Sequence, residues 1–166
     1  LIWDDFLLEN VFITPQRVSE TEAVLVARFR YRSEVESQVT VFFRENKRKS
    51  VEDRKIYPGI HEDSVTYTID NPKLWWCAGM GEPYLYDFSL EIKRGTQSWD
   101  KKEVRTGIRT VELVTEPDSA GKTFHFRLNG KPVFCRGANY IPQDMFQDRV
   151  TPDRYKRLID DAAAVN

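Results

Sequence analysis

The chain has 166 residues, enough for one domain and part of a second, and a compact chain of this size buries roughly 70% of its unfolded surface. Lys and Arg number 25 against 26 Asp and Glu, a net charge of -1 with neither sign clustered, which argues against a nucleic-acid partner. No run approaches the ~20 apolar residues of a bilayer-spanning helix, which argues against a membrane partner.

The opening Leu1-Ile2-Trp3-Asp4 has no initiator Met and no basic segment followed by an apolar one. It is expected to be an internal stretch of a longer polypeptide, which leaves the compartment unspecified. Period-two alternation then dominates, and the 13% aromatic content suits strands. Phe6 to Thr14 is a strand expected to end at Pro15. From Ala23 to Tyr31, Leu25, Ala27, Phe29 and Tyr31 line one face, the pattern of a half-buried antiparallel strand. Ser37 to Phe43 follows. The Lys-, Arg- and Glu-rich stretch from Arg44 to Gly59 fits either an edge strand hardened by charge or a solvated loop. Asp63 to Ile69 is a fourth strand, with Val65, Tyr67 and Ile69 on one face. In Tyr84 to Lys93, Tyr86, Phe88, Leu90 and Ile92 alternate against Leu85, Asp87, Ser89 and Glu91. Gln97 to Arg105 is shorter and more polar, and Ile108 to Thr115 is expected to close the series. About seven short strands in such spacing predict an all-β fold, an antiparallel β-sandwich.

The pattern changes after residue 114. Residues 115–122 read as a linker. Phe124 to Leu128 and Val133 to Cys135 flank Asn129-Gly130, a two-residue hairpin signal. Thr151-Pro152-Asp153 is an N-cap, a first-turn Pro and a first-turn acid, followed by Tyr155, Leu158, Ile159 and Ala162 at helical spacing. The domains are therefore expected at 1–114 (sandwich), 115–122 (linker) and 123–166 (the first strand, loop and helix of an α/β unit).

The adjacent carboxylates Asp4-Asp5, Glu62-Asp63 and Asp160-Asp161 sit in charged surroundings and read as solvated surface. Glycoside hydrolysis would instead need one carboxyl kept protonated by an apolar pocket. No Gly-x-Ser-x-Gly elbow occurs, and Gly79-Met80-Gly81 lacks the Lys and helix of a phosphate cradle. Two His and two Cys offer no zinc spacing, and Cys77 and Cys135 are expected to be buried free thiols. Two segments stand out. Leu74-Trp75-Trp76 through Tyr84-Leu85-Tyr86 surrounds a Pro/Gly turn. It reads as a corner with one Trp packed inside, or as a docking or sugar-stacking surface. Arg136-Gly137-Ala138-Asn139-Tyr140-Ile141-Pro142-Gln143-Asp144 reads as the C-terminal end of a buried strand and the loop after it. In a (β/α)8 barrel that end is the active-site face, so Asn139, Tyr140 and Asp144 are candidate substrate-binding residues. The bland alternative pairs Arg136 with Asp144 merely to order the loop.

Pro72-Lys73-Leu74-Trp75 with Tyr84-Leu85-Tyr86 resembles the Pro-x-Leu-Trp … Leu-Tyr signature of family 2 glycoside hydrolases. Gly107-Ile108-Arg109-Thr110-Val111 is similar to the exit strand of that family's immunoglobulin-like domain. Phe126 to Pro132 resembles the Phe-x-x-Asn-Gly-Lys-Pro entry hairpin of its barrel. Galactosidases and glucuronidases of the family usually place a His-containing sequence after the following Asn. Asn139-Tyr140-Ile141-Pro142-Gln143-Asp144, with Val150-Thr151-Pro152-Asp153-Arg154-Tyr155, instead resembles the β-mannosidase branch. Tyr140 stands where many β-mannosidases have Trp, and Cys77 where Pro is common.

The resemblance implies an immunoglobulin-like sandwich, followed by the first β/α elements of a truncated barrel. The chain would be an internal fragment of a retaining exo-hydrolase that removes terminal β-D-mannose from an oligosaccharide or glycoprotein glycan, and needs no cofactor or metal. The sandwich would scaffold the barrel and pack on an upstream domain. The family's acid/base Glu follows an Asn on a later barrel strand and its nucleophile lies later still; neither motif is present here. The fragment alone is therefore expected to be inactive, with Val133, Phe134 and Ile141 left uncovered. Another family 2 activity, β-galactosidase or β-glucuronidase, and a non-catalytic carbohydrate-binding or interaction sandwich are the alternatives.

Overall fold

A computed structural model describes residues 5–46 and 48–165. The chain divides into two compact units, Leu1–Val133 and Phe134–Asn166. In the first, alternating strands build two antiparallel sheets: β1 (Phe6–Val18), β2 (Glu22–Ser33), β3 (Ser37–Glu45), β4 (Arg48–Ile56), β5 (Gly59–Asp70), β6 (Tyr86–Arg94) and β7 (Gln97–Thr106). One sheet has the order β1-β2-β5 and the other β4-β3-β6-β7, so the chain changes sheet after β2, β4 and β5. Their inner faces share one core, a β-sandwich as the alternation predicted.

The central strands bury the face their alternation assigns to the core. Leu25, Ala27, Phe29 and Tyr31 of β2 are buried, while Arg28 and Arg30 between them are exposed. Phe43 is fully enclosed, stacked on Phe88 with centroids 5.4 Å apart and met edge-on by Tyr67 at 5.3 Å. Truncating such a ring to Ala costs about 3–5 kcal/mol, because the cavity cannot fully collapse. Phe6 stacks between Tyr31 and Trp99 at 5.5 and 5.4 Å. The Leu8 amide donates to Asp100 Oδ2 at 2.8 Å, joining the two sheets along this border.

Two expectations are corrected and one open alternative is decided. Pro15 does not end β1, which continues to Val18. β1 is an edge strand and its register shifts between Pro15 and Arg17, the places where a residue without an N–H is tolerated in a sheet. The charged 44–59 stretch is an edge strand, β4, rather than a loop, paired with β3 from Glu45↔Arg48 to Ser37↔Ile56. Ile108 to Thr115 does not close the sandwich: Ile108 is buried in its core, but β8 (Val111–Val114) joins another sheet. The backbone between is already engaged, the Ile108 carbonyl by the Trp75 amide (2.8 Å) and Thr110 by Asn129.

The expected linker holds a two-residue pairing of β9 (Pro117–Asp118) with β10 (Gly121–Lys122). β11 (His125–Leu128) and β12 (Lys131–Val133) form the expected hairpin. Asn129 and Gly130 have φ of 48° and 77°, the two left-handed positions of a type I′ turn. β11 pairs on its other side with β8, making a three-stranded sheet β12-β11-β8. The second unit contains a 3-10 turn (Gln147–Arg149) and α1 (Pro152–Ala164). Pro152 occupies the first turn, although Thr151 makes no side-chain cap bond. No described residue of this unit is buried.

Candidate functional site

The chemistry-bearing segment predicted from sequence lies in the second unit. Residues 134–142 have no regular secondary structure and are exposed, so the buried strand expected there is not formed. Phe134 and Ile141 are 87% and 84% exposed, and Val133 is half-buried. Asn139 is exposed and Tyr140 presents half of its surface. Asp144 is more enclosed: Oδ1 accepts the Phe146 amide at 2.9 Å, and Oδ2 faces the Arg154 guanidinium at 3.8 Å. The first contact closes a turn around Asp144. The second is an electrostatic contact beyond hydrogen-bond reach. Gln143 Nε2 donates to the Arg154 carbonyl at 3.5 Å, so Gln143 and Asp144 both meet the first turn of α1. Sequence spacing did not reveal Arg154 as this partner.

The aromatic corner lies in the first unit. Both Trp75 and Trp76 are half-buried, rather than one inside and one outside. Each rests on a glycine: a Cβ at Gly107 would lie 2.5 Å from Trp75 Cβ, and one at Gly81 would lie 2.8 Å from Trp76 Cγ. Arg109 covers the Trp75 ring at 4.5 Å and Lys131 the Trp76 ring at 5.2 Å. A sugar ring stacks on a free aromatic face, and cations already cover a face of each ring, so packing is the better account of this corner.

Asn129, which the sequence marked only as a turn, joins the corner to the hairpin. Its Nδ2 donates to the Trp75 carbonyl at 2.9 Å, its Oδ1 accepts the Thr110 amide at 2.9 Å, and its own amide donates to the Thr110 carbonyl at 3.0 Å.

Among the described residues of the first unit, no carboxylate is arranged as a general acid. Glu91 on β6 is buried between Arg44 (3.2 Å) and Lys93 (3.4 Å). Burial alone would raise its pKa, but bonds from Ser98 and Lys93 and the charges of Lys93 and Arg44 outweigh it and hold the carboxyl below its ordinary value. A proton donor needs the opposite shift. Arg44 and Lys93 also lie over the Phe42 ring at 5.1 and 5.2 Å, so this group is a cross-strand cluster. Asp63 pairs with Arg54, Asp160 with Lys156 and Asp161 with Arg157, as solvated surface. Asp4 lies outside the described residues.

An open depression of about 410 Å³ on the outer face of β1-β2-β5 contains Phe12, Arg28 and Arg30. Arg30 is paired with Glu9 at 2.9 Å and Arg28 donates to Thr14 at 3.0 Å, so these cations serve the sheet itself. Among the described residues, no group of three or more His, Cys, Asp or Glu could hold a metal, and no helix is long and apolar enough to cross a membrane. Cys77 and Cys135 are free as expected, but neither is buried: Cys77 is half-buried in the Pro/Gly turn, and Cys135, just past the end of β12, is exposed.

Known proteins share this architecture. Beta-mannosidase B of Emericella nidulans is 39% identical over 96 residues, 58% of this chain and 11% of that protein. The Aspergillus flavus protein of the same name is 40% identical over 96 residues, with the same coverage. The crystal structure of a β-D-mannosidase from Dictyoglomus thermophilum superposes with a TM-score of 0.89 at 33% identity, covering 96% of this chain and 20% of that one. The chain thus spans about a tenth of the length of the curated relatives it matches and a fifth of the solved one. The family model described as glycosyl hydrolases family 2 matches residues 6–109, and the chain belongs to that family.

Proposed function

We propose that this chain is an internal part of a β-mannosidase-like, retaining exo-hydrolase that releases terminal β-D-mannose from oligosaccharides or glycoprotein glycans. One observation carries the reading: the likeness to the Dictyoglomus thermophilum β-D-mannosidase extends over 96% of the chain, both units included. The fungal relatives named for the same activity agree with it. In such an enzyme one carboxyl protonates the leaving oxygen and another attacks the sugar. Neither carboxylate is recognised in this sequence, so the 166 residues alone should not turn over substrate.

The immunoglobulin-like sandwich, expected at 1–114 although its last strand, β8, pairs with β11, would scaffold the enzyme. Its support is the strand order, with β1-β2-β5 against β4-β3-β6-β7. Residues 115–122 would connect it to the opening of the catalytic barrel at 123–166. The absence of any buried residue among those described in the second unit suits a piece whose core partners lie elsewhere in a longer polypeptide. Asn139 and Asp144 would bond sugar hydroxyls and Tyr140 would stack against the ring. No step in this role calls for a metal or cofactor.

The test is to assay the longer polypeptide on aryl β-mannoside, β-galactoside and β-glucuronide, with the 166-residue chain alongside. Mannoside turnover by the former and none by the latter is expected; an enzyme selective for galactoside or glucuronide would overturn the sugar assignment. In the longer enzyme, Asp144→Asn keeps an acceptor for the Phe146 amide and removes the charge. It should lower kcat/KM with little change in unfolding midpoint, and unchanged kcat/KM would remove Asp144 from the site.

A further inference from the structure

Asn129 is the one asparagine of the chain that precedes a glycine. Such a bond carries its own chemistry. The Gly130 nitrogen, once deprotonated, attacks the Asn129 side-chain carbon Cγ, and glycine has no Cβ to obstruct the approach. The new N–Cγ bond closes a five-membered imide, and Nδ2 takes a proton from water and departs as ammonia. Water then opens the ring. Breaking the N–Cγ bond gives aspartate, whereas breaking the ring on its main-chain carbonyl side gives isoaspartate, in which the backbone runs through Cγ. Water is the one reagent consumed, and no oxidant is needed. Other asparagines are poorer substrates: Asn71 precedes Pro72, which has no N–H to lose, and Asn139 precedes the bulky Tyr140.

Burial does not protect this bond. Gly130 is exposed, and a Cβ built on it would meet no atom within 4 Å. Conformation protects it instead. Ring closure needs the Gly130 nitrogen on the Cβ side of the Asn129 Cα–C bond. The left-handed turn, with φ of 48° at Asn129 and 77° at Gly130, holds that nitrogen on the opposite side. The side chain is engaged as well, Nδ2 with the Trp75 carbonyl and Oδ1 with the Thr110 amide, each at 2.9 Å. The Thr110 bond draws electron density from Cγ and so favours attack, but Cγ must leave both partners to reach the nitrogen. Each bond favours the closed form about fivefold, so the pair alone slows the reaction roughly 30-fold.

We propose that Asn129-Gly130 is a latent self-modification site, held closed by its bonds to Trp75 and Thr110 and deamidated irreversibly when the hairpin opens. Neither product restores the clamp. Aspartate sets a carboxylate against the Trp75 carbonyl, and isoaspartate adds a main-chain atom to a two-residue turn that pairs Leu128 with Lys131. Opening of this hairpin is thus recorded in covalent form. The inference does not depend on which sugar the enzyme cleaves.

The 166-residue chain and the longer polypeptide are each held in mildly alkaline buffer, native and in concentrated urea. Peptide mapping by mass spectrometry follows amide loss at Asn129 and separates the aspartate and isoaspartate forms. Asn139, exposed and without regular secondary structure, is the internal reference. Asn129 should outpace Asn139 in urea, and folding should lower the ratio of their rates roughly 30-fold. An unchanged ratio would overturn the protection, and an Asn129 that stays intact in urea would overturn the site. Gly107→Ala, whose Cβ would lie 2.5 Å from Trp75 Cβ, should speed amide loss in the folded protein several-fold. Gly137→Ala should not, and equal rates in the two variants would remove the clamp from the account. If Gly107→Ala does not fold, urea below the unfolding transition of the parent chain takes its place. Amide loss at Asn129 that rises with urea while Asn139 holds constant supports the proposal, and a flat rate refutes it.

Discussion

Replacing Asn129 by Ala, Gly and Asp separates three contributions made by one side chain. The residue holds φ at 48° and its amide group makes two part-buried bonds of 2.9 Å, to the Trp75 carbonyl and from the Thr110 amide. Each such bond contributes about 1 kcal/mol net, and a left-handed conformation costs Ala about 1–2 kcal/mol. Asn129→Ala should therefore destabilise by about 3–4 kcal/mol, Asn129→Gly by roughly 1 kcal/mol less because Gly accepts the conformation. Asn129→Asp keeps the acceptor and tolerates the turn, but sets a carboxylate against the Trp75 carbonyl; about 1–2 kcal/mol is expected. At about 2–4 °C per kcal/mol for a chain of this size, the Ala variant should melt roughly 6–16 °C lower. Urea and thermal unfolding followed by tryptophan fluorescence suit the question, since all four Trp precede residue 134, in the first unit. An Ala variant within about 0.5 kcal/mol of the parent chain would refute the hydrogen-bond account. Ala and Gly variants of equal stability would refute the backbone part of it.

Gly107→Ala should be among the harsher single-methyl additions to this chain. The new Cβ would lie 2.5 Å from Trp75 Cβ, and overpacking of that kind costs about 1–3 kcal/mol or more. Gly137→Ala, with no atom within 4 Å of the added carbon, is the control and should leave the midpoint within about 0.5 kcal/mol; matching midpoints would sink the close-approach argument. For Glu91 the sign follows from its lowered pKa. The stabilisation is fully present above the unfolded value near 4.5 and is lost as pH falls through the lower folded value. Glu91→Gln should be less stable at pH 7 and should lose less of its remaining stability between pH 4.5 and more acid solution. Urea midpoints taken down the pH series check this, and parallel curves for the two proteins would refute it.

Where the fold was legible in the sequence, the reason was local. The alternation of Leu25, Ala27, Phe29 and Tyr31 needs only a pleat to become a buried face, and Asn129-Gly130 needs only its own backbone to become a turn. Register and partner are not local, and there the reading stopped. Residues 111–114 do form a strand, but period two cannot say that its partner is β11 and not the sandwich edge. Glu91 alternates outward as expected and is nevertheless buried, because pairing of β3 with β6 brings Phe42 beside it and Arg44 and Lys93 close over both. Trp75 and Trp76 are both half-buried because glycines 32 and five residues further along the chain receive them. The bare side of each glycine was the signal available. At the candidate site, Asn139, Tyr140 and Asp144 could be chosen for their chemistry, while the contact of Asp144 with Arg154 depends on how α1 is placed within its unit.

The two units divide the physical demands unequally. The first unit holds the buried side chains, the aromatic stack on Phe43 and the clamp at Asn129. The second unit holds the candidate residues Asn139, Tyr140 and Asp144 and buries none of those described. Stability here is set by residues that lie in a different unit from the candidate ligand contacts. Distant substitutions without shared partners act nearly independently, so changes in the sandwich should alter the unfolding midpoint more than binding at the candidate residues. Changes at 139–144 should do the reverse, because these residues are exposed or half-exposed and the contacts of Asp144 close a single turn against α1. The join is where this separation fails. Asn129 and Val133 belong to the first unit, and the polypeptide runs from them directly into Phe134. A disturbance of the Trp75–Asn129 clamp would therefore reach the candidate site along the chain itself, and this hairpin is the place where loss of stability and loss of binding should occur together.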